Sequence, residues 1–191
     1  MPPKCKFTRE EIIDAALDLT REEGFNALTA RGLGAKLGSS PKPIFTIFEN
    51  MEAVQNEVQK AAKALYAEYV QVGLQQKIAF KGVGTQYILF AIKEPKLFRL
   101  LFMSEQAQKP SVAGILPTID ESYEQILLSV QNGYGLGKKD AEKLYRHLWI
   151  YTHGIAVLCA TNMCSFTAEE ISTMMTEVCR SLLKEIKGGK A

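Results

Sequence analysis

No stretch of this chain approaches the roughly 18 consecutive uncharged apolar residues that a membrane-spanning helix needs. The opening Met1-Pro-Pro-Lys-Cys-Lys6 lacks the apolar run of a secretory signal. The expectation is a cytoplasmic protein with no membrane partner and with its four cysteines reduced. Cys159, Cys164 and Cys179 stand among apolar residues and are expected to be buried, which leaves Cys5 as the reactive thiol. There are only 7 prolines and no recurring short runs of alternating polarity, which argues against a β fold. Phosphate-cradling glycine loops ending in Lys-Ser/Thr are missing, as are His-Glu-x-x-His and Cys-x-x-Cys. The two histidines, His147 and His153, are six residues apart and fall on different sides of a helix. No metal, cofactor or enzymatic activity is expected. Nor is there an internal repeat of 20–50 residues or a low-complexity tract.

What is present is apolar residues at helical spacing along nearly the whole chain, 47% hydrophobic over 191 residues. The expected fold is all-α, with about nine helices. Thr8 can cap the first helix and Glu11, three residues on, can close a capping box, with Phe7 and Ile12 placed as a hydrophobic staple. Ile13, Ala16, Leu17 and Thr20 form its expected apolar stripe, and Gly24 ends it. Thr29 can cap a second helix whose inward residues are Leu33 and Leu37. Gly34 there lets the third helix approach closely, whereas Gly32 has no evident reason. That helix stops at Gly38, and a Ser39-Ser40 turn leads to another short helix, so the segment reads as a helix-turn-helix, a shape that fits the major groove of DNA. Beyond it, helices are expected over 49–74, 76–92, 95–104, 117–132, 138–161 and 167–187, with loops over 108–117 and 132–137 and a frayed tail over 188–191. The last helix opens with Phe166-Thr-Ala-Glu-Glu170, repeating the cap-box pattern of residues 7–11.

The net charge of +2 is uninformative, but its distribution is not. From Met1 to Arg9 the charged residues are Lys4, Lys6 and Arg9, and from Thr29 to Phe48 they are Arg31, Lys36 and Lys42, with no acid in either stretch. Local positive charge is what DNA binding requires, although a solvated surface can carry such a cluster by chance.

Four runs occur in order: Phe7-Thr-Arg-Glu-Glu-Ile-Ile-Asp-Ala-Ala-Leu-Asp-Leu19, Glu23-Gly-Phe-Asn-Ala-Leu-Thr29, Leu33-Gly-Ala-Lys-Leu-Gly-Ser-Ser40 and Pro43-Ile-Phe-Thr-Ile-Phe48. Together, over about residues 7–58, they resemble the N-terminal domain of TetR-type transcriptional regulators. The remainder resembles that family in size and helix count only. The resemblance implies a homodimeric, DNA-binding repressor, with a helix-turn-helix domain over 1–48 and a ligand-binding and dimerisation domain over 49–191. Its partners are then a double-stranded DNA operator and a small apolar or amphipathic effector. Thr29 and Arg31 match phosphate-contacting positions, where a helix N-terminus suits a phosphate in any case. Ser40, Lys42, Pro43, Phe45 and Thr46 match the turn and recognition helix, and Lys6, with Lys4, fits a basic arm. Phe45 stands where such proteins commonly carry a phosphate-donating tyrosine, and Met51 where they commonly carry a lysine. Each lost phosphate contact removes some affinity as well as about one unit of salt slope; DNA binding is expected to be weak or strongly salt-sensitive. The alternative is a TetR-like ligand-binding or interaction module with little DNA affinity.

In the long C-terminal part, Tyr145, Trp149 and His153 fall at i, i+4 and i+8 on one helix face. That face either lines a ligand pocket or is core. Phe90, Phe98, Phe102 and Met103 flank Pro95 and could form the mouth or floor of an apolar cavity; a filled core accounts for them equally well. The candidate ligand-binding set is therefore Phe90, Phe98, Phe102, Met103, Trp149 and His153. The charge-poor stretch 150–166 and the apolar stripe of the last helix fit a four-helix dimer interface built from the last two helices of each subunit.

Overall fold

The computed structural model describes residues 6–105 and 109–188. Expectations for Lys4, Cys5, Gln108 and the tail beyond Gly188 lie outside the described residues. Among the described residues there is no strand. Nine α-helices follow one another: α1 (Arg9–Glu23), α2 (Ala30–Lys36), α3 (Met51–Leu74), α4 (Ala79–Lys93), α5 (Pro95–Phe102), α6 (Ile115–Ile119), α7 (Tyr123–Tyr134), α8 (Lys138–Ala160) and α9 (Ala168–Gly188). None of the described helices is long and apolar enough to cross a membrane. The chain folds as two compact units, one made of residues up to Leu65 together with Glu94–Ser104, the other of Tyr66–Lys93 and Glu105 onward.

In the first unit, local chemistry sets the helix ends. The Thr8 hydroxyl accepts from Glu11 N at 3.1 Å and the Glu11 carboxylate accepts from Thr8 N at 2.8 Å, which completes the capping box. Gly24 ends α1 at φ 94°, where other residues are strained. The buried face of α1 is Ile12, Ala16, Leu19 and Thr20 rather than the expected Ile13, Ala16, Leu17 and Thr20. Ile12, Ala16 and Leu19 keep i, i+4, i+7 spacing, and Ile13 and Leu17 flank that face half-buried. Leu28, Leu33, Ile44, Phe48, Val54 and Val58 complete this core. α5 joins it, packing on α1 through fully buried Leu97 and Phe98, with Arg21 Nε donating to Glu94 at 3.0 Å.

The structure supplies the reason for Gly32: a Cβ there would lie 2.5 Å from the carbonyl oxygen of Ala27, in a 3₁₀ turn (Phe25–Ala27) that folds under α2. At Gly34 the close approach comes from the turn rather than from the third helix, with the Ser39 carbonyl oxygen 3.0 Å and Pro41 N 3.1 Å from the Cβ position. Instead of an α-helix, the segment after the turn is a single 3₁₀ turn, Ile44–Thr46. Pro41 and Pro43 contribute no N–H, and the carbonyls of Pro41 and Pro43 accept from Ile44 N at 3.0 Å and Thr46 N at 3.3 Å.

In the second unit α4 is the central helix, packing on α7, α8 and α9, while α8 also packs on α7 and α9. Thr167 and Glu170 close the expected capping box on α9, with Glu170 N to Thr167 Oγ1 at 3.2 Å and Thr167 N to Glu170 Oε2 at 2.7 Å. The helix expected over 117–132 is two helices, α6 and α7, broken at Asp120, whose backbone is extended (φ −126°, ψ 108°). Asp120 Oδ1 accepts from Ser122 N at 2.9 Å, an Asx turn that competes with helix. Cys159 is buried as expected and Cys179 half-buried, but Cys164 is exposed, because α8 ends at Ala160 and Cys164 lies in the connection beyond it.

Candidate nucleic-acid interface and internal cavity

The helix-turn-helix surface is built by its caps. Thr29 Oγ1 accepts from Gly32 N at 3.1 Å, which leaves the hydroxyl proton available to a phosphate at the start of α2. Arg31 and Lys42 are exposed and make no ion pair with any described residue. Lys36, the third base of this stretch, is instead held by Glu22 at 2.7 Å. Lys6 Nζ donates to Ser39 Oγ at 3.0 Å, bringing the basic arm onto the turn. Arg9 is engaged elsewhere, with Glu57 at 3.3 Å and over the Phe48 ring at 4.5 Å. Ser40 and Thr46 are exposed and Pro43 half-buried. The Thr46 hydroxyl donates to Pro43 O at 2.6 Å, so its proton is spent locally. The Phe45 ring is 45% exposed, a large apolar face with no donor.

The second unit holds a cavity of about 420 Å³, partly open to solvent, within the range of small-molecule sites. Its wall is strongly aromatic: Tyr66 from α3, Phe80 and Tyr87 from α4, Tyr134 from α7, and Tyr145 and Trp149 from α8. Several of these rings pack edge to face, with Phe80 and Tyr145 centroids 5.5 Å apart at 84° and Tyr66 and Tyr87 5.9 Å apart at 82°. Leu148, Met175 and Leu183 add aliphatic surface. Four polar features matter. Asp120, only 6% exposed, enters between α6 and α7, and its Oδ2 accepts from the Tyr66 hydroxyl at 3.0 Å. Burial raises its pKa against the pull of the Ser122 N–H and the Tyr66 hydroxyl. Lys81 donates to Ser172 Oγ at 2.8 Å and Thr176 Oγ1 at 3.2 Å. Arg180 is exposed on α9. Cys179 donates to the Tyr134 hydroxyl oxygen at 3.6 Å.

Residues 80–182, more than half of the chain, match the family model of the tetracyclin repressor-like, C-terminal domain. The chain belongs to the TetR family of transcriptional regulators. That match falls on the part where the sequence alone offered only size and helix count. The chain is also 23% identical over 178 residues to the uncharacterized HTH-type transcriptional regulator YobS of Bacillus subtilis (strain 168), covering 89% of this chain and 87% of that protein. TetR-family proteins are transcriptional regulators rather than enzymes, and membership implies DNA binding and dimerisation.

Among the residues expected to line this TetR-family protein's ligand site, Trp149 is on the cavity wall. His153 stacks on Trp149, with ring centroids 5.0 Å apart, and its Nδ1 lies 2.9 Å from the Tyr87 hydroxyl, so it supports two lining residues. Burial lowers its pKa and favours the neutral ring. Phe90 is fully buried beside Tyr66 and Tyr69, with centroids at 5.4 and 5.3 Å. Phe98, Phe102 and Met103 belong to the first unit, where Phe98 and Phe102 pack at 5.2 Å and Met103 is 41% exposed. Sequence reading missed Tyr66, Tyr87 and above all Asp120. The Asp-x-Ser pattern at 120–122 was the available sign of a turn.

Proposed function

We propose that this chain is a homodimeric, ligand-responsive repressor: residues 1–48 bind an operator, residues 49–191 dimerise and hold a small apolar or amphipathic effector, and the effector releases DNA. The observation that carries the reading is the aromatic cavity of about 420 Å³ in a chain that also exposes, on a helix-turn-helix, Arg31 and Lys42, which form no ion pair with a described residue. Two recognition segments of a dimer must meet half-sites about 34–36 Å apart, or a multiple of that. A ligand that favours a different spacing weakens DNA binding by its differential affinity for the two states. The test is operator binding, on DNA upstream of the protein's own gene, across a salt series with and without a cavity ligand. Log affinity should fall linearly with log salt, and a tight ligand that leaves DNA affinity unchanged at fixed salt sinks the switch.

Two substitutions probe the DNA surface. Lys42→Ala should weaken binding on all sequences alike and cut the salt slope by about one unit; an unchanged slope removes Lys42 from the phosphate contacts. Phe45→Tyr adds a hydroxyl on a ring that is 45% exposed. It should tighten operator binding about tenfold, the scale of a hydrogen bond to a charged acceptor. A second reading, a TetR-like module with little DNA affinity, draws on the same Phe45 ring and on the single 3₁₀ turn at Ile44–Thr46. Salt-independent or absent operator binding by the wild type favours that module.

The dimer surface proposed on the last two helices has support on α8, where Ile150 is 51% exposed and the exposed Gly154 has nothing within 4 Å of its Cβ position. Half-buried Val157 and Leu158 continue that side, and Met174, Val178 and Leu182 are half-buried on α9. Gly154→Leu should turn the dimer into a monomer in sedimentation, since a seam close enough to use a glycine has no room for a branched side chain. A persistent dimer moves the seam elsewhere.

A further inference from the structure

We propose that the cavity selects an organic cation, a tertiary or quaternary ammonium on an apolar body, with its charge set against Asp120 inside the cage of Tyr66, Tyr87, Tyr145 and Trp149. This rests on the reading of the cavity as the effector site and names the chemistry of what enters it. Asp120 is 6% exposed and lines the cavity. Its contacts are two neutral donors, the Tyr66 hydroxyl at 3.0 Å and Ser122 N at 2.9 Å, and no described cation forms an ion pair with it. A carboxylate taken out of water without a counter-charge is costly, and an entering cation supplies what the protein omits.

The two bases on the wall do not fill that role. Lys81 turns its ammonium to Ser172 and Thr176 on α9, and Arg180 is exposed on the same helix. The tyrosines, by contrast, answer to Asp120. Burial raises the pKa of the Tyr66, Tyr87 and Tyr145 hydroxyls, and the Asp120 charge is the next largest cause for each. Tyr66 touches the carboxylate directly, and Tyr66, Tyr87 and Tyr145 line the same cavity as Asp120 together with Trp149. Aromatic faces attract a desolvated ammonium, and they tolerate its bulky methyl groups, which hydrogen-bonding walls do not. An anionic ligand would instead meet Asp120 with like charge.

Trp149 is the single tryptophan of the chain, so its fluorescence reports cavity occupancy without interference from another indole. The experiment compares three probes with one body and different heads: para-butylbenzyltrimethylammonium, para-butylbenzyl alcohol and para-butylphenylacetate. Binding is read by Trp149 fluorescence and by calorimetry on the full chain. The ammonium should bind at least tenfold tighter than the alcohol and the carboxylate. In Asp120→Asn the ratio of ammonium to alcohol affinity should fall to about one while the alcohol affinity holds. Asn keeps the size, its Oδ1 still accepts from Ser122 N and its Nδ2 donates to the Tyr66 hydroxyl oxygen in the reverse sense, and the wild-type series decides the charge class even if the variant fails to fold. An alcohol or carboxylate that binds as tightly as the ammonium overturns the proposal and leaves the cavity reading intact. If no probe binds at millimolar concentration, both fall. Ammonium binding with the tenfold preference but no release of DNA supports the cation class and counts against the repressor switch.

Discussion

Phe98→Ala should lower the stability of the helix-turn-helix unit by about 3–5 kcal/mol, the usual cost of emptying a fully buried phenylalanine site. Phe98 is 0% exposed, next to Leu97 at 0%, on a helix that packs against α1 and the 3₁₀ turn beneath α2. With about 2–4 °C lost per kcal/mol in a chain of this size, the melting transition of that unit should drop by roughly 10 °C. Operator binding should disappear over the same interval. Fluorescence titration of a cavity ligand against Trp149 at low temperature should be unaltered. Sequence spacing made Phe98 a candidate wall of the ligand site, so the experiment separates two assignments. A variant with full DNA affinity and weakened ligand binding restores the ligand-wall role.

A comparable loss is expected for Gly82→Val, this time in the cavity-bearing unit. A Cβ on Gly82 would stand 2.3 Å from the carbonyl oxygen of Gly73 and 2.8 Å from Gln76 Cβ. The relation is reciprocal, because a Cβ on Gly73 would stand 2.6 Å from Val83 Cα. The obstacle is backbone on both sides, which no rotamer change relieves. Forcing the helices apart costs about 3 kcal/mol or more, and a β-branched residue recovers little through helix propensity. Chemical denaturation should register that loss. Ligand affinity should fall with it, since Phe80, Lys81 and Val83 line the cavity beside Gly82. The control is Gly133→Ala, on α7, where nothing lies within 4 Å of the added carbon. There the helix should gain about 1 kcal/mol. Equal losses at both positions would mean that the close approach at Gly82 is not what matters.

What could be read from the sequence followed the range of the forces involved. The capping boxes at Thr8–Glu11 and Thr167–Glu170, and the cap at Thr29, depend on residues three apart, and all three formed as spacing demands. Gly32 stayed unexplained because its partner is a carbonyl of a 3₁₀ turn, and no periodicity predicts where that oxygen points. Asp120 was hidden inside an apolar pattern long enough for one helix. One Asx turn broke the pattern and aimed the carboxylate inward. Phe98 was recognisable as buried, but burial alone does not say against which helices. Trp149 stood on a stripe that read as either pocket wall or core, and it lines the cavity; His153, one turn on, serves it from behind.

The helix-turn-helix unit is not one continuous stretch of chain. Its closing helix, α5, arrives only after α4 has been made, and ties back through Arg21 to Glu94 and Lys96 to the Glu22 carbonyl. A chimera that exchanged only the first 65 residues with those of another regulator would receive a head without its Leu97 and Phe98 plug. It would also keep a plug shaped for a different head. Inheritance by cut and paste at the end of the helix-turn-helix therefore carries a penalty in this chain. Changes in α1 and in α5 should be tolerated chiefly in pairs, even though some seventy residues separate the two in sequence.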